Sequence, residues 1–443
     1  MNENIVTILD LGTTKTVCLI GQQTPDGKIK IIGYGEEKSA GIHRGLVMNV
    51  GEASTVIKSV VAKAQKMSGY IVTEAYVGIA GQHITTQLTS HSVTNKNDRE
   101  FITAELRDRL ISDVNKIALN PGEVVLQVFP QEYYVDNVKV NNPIGTMGIQ
   151  LKGNFNIAIT KQKNIEILSK ALEFSNIRIK RLLLEPYASS FAVLTNDEKE
   201  AGVCMIDIGG GTTDMIIFKD NIIRHIAVIP LAGQIITSDI QAGLSITSAN
   251  AEKLKTEYGC AIEAMVKDTD TVTIEGIGGR DNREISLKAI AGIIQARVHE
   301  IVDTVLYEIK NAGLYSQLGA GITITGGGAK LKNLVEFITY RTGLDTRVGL
   351  PSLTHISSSD DFRNPKYSTA IGLLNKANEL EKEFIRANQN IIQQKQQQMI
   401  EEENKKYENN EQKKNQKFGK TKGILREIGG LFKDNSKKTD KDI

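Results

Sequence analysis

Apolar and polar positions along this chain follow two rhythms, period two and period 3.6, and the pair recurs in each half. Residues 4–21 and 29–35 run apolar or alternate, are rich in β-branched side chains and break at Pro25-Asp26-Gly27, a pattern that predicts strands joined by a turn. Residues 52–67 place apolar side chains at helical spacing and end at Gly69, a C-cap residue. The segment 72–80 returns to strand and closes on Gly78-Ile79-Ala80-Gly81. From 83 to 162 the texture changes to short strands, a polar helix near 103–119 stopped by Asn120-Pro121-Gly122, and the turn-rich Asn141-Asn142-Pro143-Ile144-Gly145. That stretch predicts a small inserted α+β domain.

A helix at 162–175 follows, then the apolar run Leu182-Leu183-Leu184 into Glu185-Pro186-Tyr187-Ala188-Ser189-Ser190. Strand patterns resume at 203–218, a helical region covers 235–257, and a β-rich piece surrounds Gly276, Gly278 and Gly279. A long amphipathic helix is predicted over 286–312, the strand Ile322–Thr325 runs into Gly326-Gly327-Gly328, and a last helix starts near Tyr367. Beyond 382 comes a Gln/Asn/Glu/Lys tract with too few apolar residues for a core. It lacks Pro and Gly up to Gly419, so it either extends the preceding helix or, as coil over 383–416, spans on the order of 30 Å.

A chain of 443 residues is long enough for two to four domains. The net charge of +2 gives no reason to expect a nucleic-acid surface, but its distribution is uneven: residues 413–438 carry nine Lys/Arg against two Asp/Glu. Cys18, Cys204 and Cys260 have no CxxC spacing and read as small core residues in a reducing compartment. The six histidines are scattered, with no His-x-x-x-His and no Cys/His cluster, so no protein-built metal site is expected. Asp10 interrupts the first apolar run, so no signal peptide is expected, and no stretch approaches the roughly 18 apolar residues of a membrane span.

The candidate chemistry lies in two similar stretches, Ile8-Leu9-Asp10-Leu11-Gly12-Thr13-Thr14-Lys15 and Ile206-Asp207-Ile208-Gly209-Gly210-Gly211-Thr212-Thr213-Asp214. Each carries an apolar strand into Asp-x-Gly, a Gly/Thr turn and a second apolar strand. A turn of small residues lets successive backbone N–H groups converge on an anion, and the Asp at its mouth can hold a hydrated divalent cation over the same phosphates. One such turn also joins strands where no ligand binds. Three, counting Thr325-Gly326-Gly327-Gly328, each leaving an apolar strand, point to a nucleotide clamped between two lobes.

In these motifs and their order the chain resembles the actin-like ATPase superfamily. The resemblance implies an α/β, actin-like (ribonuclease H-like) two-lobed ATPase fold that takes ATP and magnesium. It places Gly12, Thr13 and Thr14 in the phosphate-1 turn, with Lys15 beside them facing nucleotide or solvent. Gly209, Gly210, Gly211, Thr212 and Thr213 match phosphate-2, Asp10 and Asp207 match the acids that hold magnesium through water, and Gly326, Gly327 and Gly328 match the adenosine turn. Glu252 and Lys255 sit where relatives set a Glu and a Lys against the ribose and base; by spacing alone they are an i, i+3 surface pair. Glu185 is either the residue that orients an attacking water, with burial raising its pKa, or a helix N-terminal acid. Ala188-Ser189-Ser190 and Ala370-Ile371-Gly372 are small enough for two connecting helices to cross closely.

More closely, and over essentially its whole length, the chain resembles the FtsA family of bacterial cell-division proteins. The residues that carry this are Tyr76-Val77-Gly78-Ile79-Ala80-Gly81-Gln82-His83-Ile84, Gln131-Glu132-Tyr133, Asn142-Pro143-Ile144-Gly145 and Pro365-Lys366-Tyr367-Ser368-Thr369-Ala370-Ile371-Gly372-Leu373-Leu374. Actin and its rod-shape relative carry their small subdomain elsewhere, so the position of the 83–162 insertion discriminates. The resemblance implies a first lobe of 1–82, 163–197 and 362–382, a second-lobe core of 198–232 and 313–361, and a small subdomain at 233–312 that takes the FtsZ C-terminal tail. Arg297 there is either a contact to that acidic peptide or a solvated residue. It also implies self-assembly into protofilaments and contacts between the insertion and later division proteins.

The chain's end supports the same reading by its own physics. Ile424, Leu425, Ile428, Leu431 and Phe432 fall on one face of a helix over 417–434, with Lys420, Lys422, Arg426 and Lys433 around it. Burying five such side chains is worth at most roughly 7–15 kcal/mol, and each cation near an anionic surface adds about 1 kcal/mol. Gly423, Gly429 and Gly430 each cost about 1 kcal/mol in a helix, so the peptide is expected to be coil in water and helical on anionic membrane lipids. A helix that docks into a protein groove has the same pattern. The expected location is the cytoplasmic face of the inner membrane at the division site. The rival reading is a soluble phosphotransferase of the same fold, which needs a catalytic base at the γ-phosphate; Glu185 is the one candidate, and such an enzyme has no use for a basic membrane helix.

Overall fold

The computed structural model describes residues 5–95, 101–276 and 278–386, together with 389, 396–397 and 399–400. The chain divides into two units, 1–378 and 379–443. In the second, 379–386 and the other described positions are helical, while Ile424, Leu425, Arg426, Ile428, Leu431 and Phe432 lie outside the described residues.

Two sheets of one design organise the first unit. In the first, the strands run in the order Arg178–Leu184, Glu74–Ile79, Ile5–Leu11, Lys15–Gln23, Ile29–Lys38 and Ile356–Ser357. The second runs Thr346–Val348, Ile322–Thr325, Val203–Ile208, Thr213–Lys219 and Ile222–Ile229. In both, a central strand pairs antiparallel with its successor through the Gly/Thr turn, the next strand is again antiparallel, and two strands on the other side are parallel. Helices cover both faces of the central strands, and this is why Ile5–Leu11 and Val203–Ile208 read as continuous apolar runs.

The parallel partners require crossovers, and helices supply them. Val50–Ser68 starts at Asn49, whose side chain accepts from Glu52 N–H, and stops at Gly69 with φ 72°. Its buried face, Ala53, Ile57, Val60, Val61 and Ala64, packs so close to the first sheet that a Cβ on Gly35 would collide with the Val60 carbonyl. In the second lobe Leu287–Asn311 buries Ile290, Ile294, Val298, Ile301, Val305 and Ile309, one helical face, against the core of the second sheet.

The insertion is a four-stranded antiparallel sheet, ordered Thr85–Thr94, Gln150–Lys161, Glu123–Val135 and Val138–Val140. Asp136 and Asn137, both with positive φ, make the tight turn between the last two. Its long strands are 10, 12 and 13 residues, not short. The helix expected over 103–119 is Ala104–Val114, because the Asn115 amide donates to the Ile111 carbonyl and ends it. Leu110 and Val114 close the insertion's core with Leu151, Phe155 and Ile157.

The boundary expected at 361 for the second-lobe core is corrected by Ile356–Ser357, which pairs parallel with Ile29 and Lys30 at the edge of the first sheet. The helical region expected at 235–257 is two helices, Gly233–Leu244 and Ser248–Tyr258, broken at Ser245 with φ 50°. Between the lobes, the helix Glu185–Val193 crosses helical residues 368–378 with backbones in contact. A Cβ on Gly372 would collide with the Ala188 carbonyl and stand 2.9 Å from Ser189 N. Gly372→Ala is therefore expected to lower unfolding free energy by about 1–3 kcal/mol, measured in urea. Unchanged stability would mean the helices separate at no cost.

Candidate nucleotide site

Both Gly/Thr turns leave the ends of their central strands and face each other. A Cβ on Gly210 would strike the Thr14 side chain, and one on Gly211 would strike Thr13. Only glycine lets the second turn come this close to the first. The carbonyls of Gly209 and Gly210 accept from Gly233 N–H at 3.1 Å and Gln234 N–H at 2.7 Å. Those oxygens are engaged by the start of the helix Gly233–Leu244 instead of opposing an incoming anion. The third turn packs behind the second strand: Gly326 has φ 84°, a Cβ there would collide with the Asp207 carboxylate, and Gly327 faces open space.

Four acids gather at this junction. Asp10 is buried and accepts from Lys15 Nζ at 3.1 Å. Lys15 begins the second strand and stands 5.5 Å from the Tyr367 ring centre, so it is neither on the turn nor free in solvent. Asp207 Oδ2 accepts from Ser189 Oγ at 2.9 Å and Thr369 Oγ1 at 3.2 Å, one hydroxyl from each connecting helix. Asp214 is buried with Oδ1 unpartnered. Glu185 opens the first connecting helix; a Cβ on Gly78 would lie 2.9 Å from its Oε1.

Removal from water and mutual repulsion shift these groups together. Burial first, then the charge of Asp207, pushes Asp214 up to about 8. Burial raises Asp207 against the opposing hydrogen bond from Ser189. Glu185 is raised well above the usual carboxylate range by burial and then by Asp10, Asp214 and Asp207. Among the described residues no group of three or more acidic, histidine or cysteine side chains is arranged to hold a metal ion. The orphaned oxygen of Asp214 and the glycine cradle suit instead a hydrated divalent cation, met through its water, on a phosphate chain.

Lys255 Nζ donates to Gly233 O at 2.9 Å, Thr237 Oγ1 at 2.8 Å and Glu252 Oε2 at 2.7 Å. Thr237 also donates to Glu252, so the pair is anchored beside the second turn and does not splay on the surface. Arg297 lies on the helix Leu287–Asn311, where Asp239 holds its guanidinium at 2.6 and 3.1 Å and Glu300 also binds it. An acidic peptide would have to compete with both carboxylates. The sequence motifs do not mark Asp214, Ser189 and Thr369 as site residues, although Asp214 closes the glycine motif and the other two lie in the small-residue helices.

Among solved structures, the chain is similar to the PilM-PilN type IV pilus biogenesis complex, with TM-score 0.60 and 14% identity over 84% of this chain and 98% of that one. It is also similar to MreB5 of Spiroplasma citri bound to ADP, with TM-score 0.53 and 15% identity over 86% and 98%. These likenesses show the fold, and with the apposed turns they define a two-lobed, actin-like protein. A family model described as "Cell division protein FtsA" matches residues 204–372, and one described as "SHS2 domain inserted in FTSA" matches 81–159. Relatives named cell division protein FtsA include that of Pseudomonas aeruginosa, 36% identical over 83% of this chain and 87% of the relative. That of Neisseria meningitidis serogroup B is 36% identical over 88% and 94%, and that of Escherichia coli K12 is 31% identical over 85% and 91%. The chain belongs to the FtsA family of cell-division proteins.

The acids yield a pH prediction. An unfolded Asp ionises near 4, whereas folded Asp214 holds its proton to about 8, so the folded state binds more protons in that window and stability falls as pH rises through it. Without nucleotide, the melting temperature of Asp214→Asn should fall less between pH 5 and 8 than that of the parent. Parallel curves would show that Asp214 ionises normally.

Proposed function

We propose that this protein binds ATP with magnesium between its lobes, assembles with copies of itself, and tethers the FtsZ ring to the cytoplasmic face of the cell membrane. The observation that carries the nucleotide reading is the direct apposition of two glycine turns, Thr13-Thr14 against Gly210-Gly211, over clustered acids. In this reading Gly12, Thr13, Thr14 and Gly209 to Thr213 cradle the phosphates. Asp10, Asp207 and Asp214 hold hydrated magnesium, whose charge offsets that of the phosphates. Gly326 to Gly328 leave room for the base, with Glu252 and Lys255 at the ribose. Solved MreB5 of similar fold, bound to ADP and to AMPPNP, supports the choice of an adenine nucleotide.

Turnover is at most slow. A carboxyl held protonated by burial and three neighbouring acids is a weak acceptor for a proton from water, and this weakens Glu185 as a base. Family membership favours the cell-division reading over a soluble phosphotransferase. The insertion at 83–162 is assigned to later division proteins and the 233–312 region to the FtsZ tail. Residues 417–434, basic and apolar on one helical face, are assigned to anionic lipid. No helix among the described residues is long and apolar enough to cross a membrane.

Two experiments test this. Gly210→Val should lower ATP affinity at least tenfold by forcing the turns apart, as read by isothermal titration with magnesium; equal affinity would remove the two-turn clamp. The full chain should sediment with anionic liposomes, whereas a chain ending at 416 or carrying Ile428→Glu with Phe432→Glu should stay in the supernatant. Equal sedimentation of all three would make the terminal segment a protein-docking helix.

A further inference from the structure

The insertion touches more than the lobe that carries it. Its strand Glu123–Val135 slips register against Gln150–Lys161 twice, leaving Leu126 and Gln131 outside the ladder. Pro130, with no N–H to give, stands beside the second slip. A bulge of this kind bends the strand and re-aims the extra side chain. Here it turns Gln131, which is buried, to the second lobe, where Nε2 donates to the Ile223 carbonyl at 2.6 Å. Ile223 belongs to Ile222–Ile229, the outer strand of the second sheet, and Thr86 Oγ1 of the insertion donates to Ile226 O of that same strand at 3.3 Å. An edge strand turns alternate carbonyls away from its own sheet, and the insertion's side chains bond two carbonyls of this one.

Between the two bulges the same strand reaches the cleft. Phe129 meets Tyr187 of the first connecting helix edge to face, with ring centres 5.1 Å apart. Gln127 Oε1 accepts from Leu184 N–H at 3.3 Å, and Leu184 is the N-cap of the helix whose first residue is Glu185. One strand thus holds the peptide before Glu185, the connecting helix and the edge of the opposite lobe. A change in the angle between lobes must break the Gln131 to Ile223 bond or carry the insertion with it.

We propose that Glu123–Val135 is a strut that couples closure of the lobes on a nucleotide to the placement of the insertion, with Gln131 the contact to the second lobe. This rests on the nucleotide reading above. Coupling is reciprocal: if nucleotide moves the insertion, loosening the insertion must change nucleotide affinity. Freed lobes spend less time in the closed state, so binding weakens by the fraction lost.

The test is equilibrium binding of a fluorescent ATP analogue with magnesium to the full chain. Gln131→Ala should weaken binding at least fivefold. Thr86→Val, at a half-exposed position, should weaken it in the same direction and carries the test alone if Gln131→Ala does not fold. Val138→Ser, on the exposed outer strand, should leave it unchanged. If Gln131→Ala and Thr86→Val both bind within twofold of the parent, the strut is wrong and the nucleotide site stands; a parent that binds no analogue removes both. Amide hydrogen exchange supplies the second readout. The analogue should change exchange over 123–135 in the parent but not in Gln131→Ala, while protecting 209–213 in both. Identical responses over 123–135 would overturn the strut.

Discussion

Asp207 sits where the two lobes can be held at an angle. One of its oxygens accepts from Ser189 and Thr369, whose hydroxyls are 3.1 Å apart on two helices that cross at Gly372. The other lies against Gly326, where any side chain would displace it. A carboxylate in this position fixes the helix crossing and the third glycine turn at once. Because the central strand that carries Asp207 runs directly into the second Gly/Thr turn, the turn's height over the cleft is set by the same contacts. The small residues at 188–190 and 370–372 are needed for this reason: bulk there would move the carboxylate, not merely the helices.

The repeated sheet explains why chemistry collects at the junction. Each lobe offers the end of a central strand followed by a turn, and each strand carries its acid at the same position, Asp10 and Asp207. Facing the two lobes puts like charges together. Lys15 partly offsets Asp10, whereas among the described residues no cation is paired with Asp214; burial first, and the neighbouring acids second, leave Asp214 and Glu185 holding their protons. In the proposed reading a hydrated divalent cation between the lobes would relieve that repulsion, because both lobes bring acids to it.

What could be read from the sequence was local. Glycine turns after apolar strands, the Gly69 cap and the face of Leu287–Asn311 depend on neighbours within a few residues, and the pattern shows them directly. Contacts made at long range left weaker traces. Ile356–Ser357 is too short to show a period, and only the presence of Ile29 and Lys30 makes it a strand of the first sheet. Lys15 reads as a turn or solvent residue because Tyr367, whose ring helps to hold its ammonium, is far away in the chain. Arg297 looked available because Asp239 is 58 residues away in the chain. Asp214 was visible as the end of a motif, but its burial, and so its importance, required the second lobe to be assembled around it.

The insertion shows how such long-range terms shape a family-specific part. An α+β domain attached to one lobe by two strands would be free to swing about its attachment, since intrachain interfaces of modest size allow motion. Here the register slips at Leu126 and Gln131 give up ladder pairing at two positions; Leu126 lies next to Gln127, which bonds to Leu184, and Gln131 itself bonds to Ile223, both outside the insertion. Irregularity in a strand is unfavourable by itself, since the extra residue leaves the ladder and its pairing is disrupted. It persists where contacts made elsewhere offset the loss, and the contacts made here run to Leu184, Tyr187 and Ile223, one to the segment before Glu185, one to the crossing helix and one to the opposite lobe. The insertion is in this sense built into the cleft's geometry, bonded both to the segment before Glu185 and to the opposite lobe.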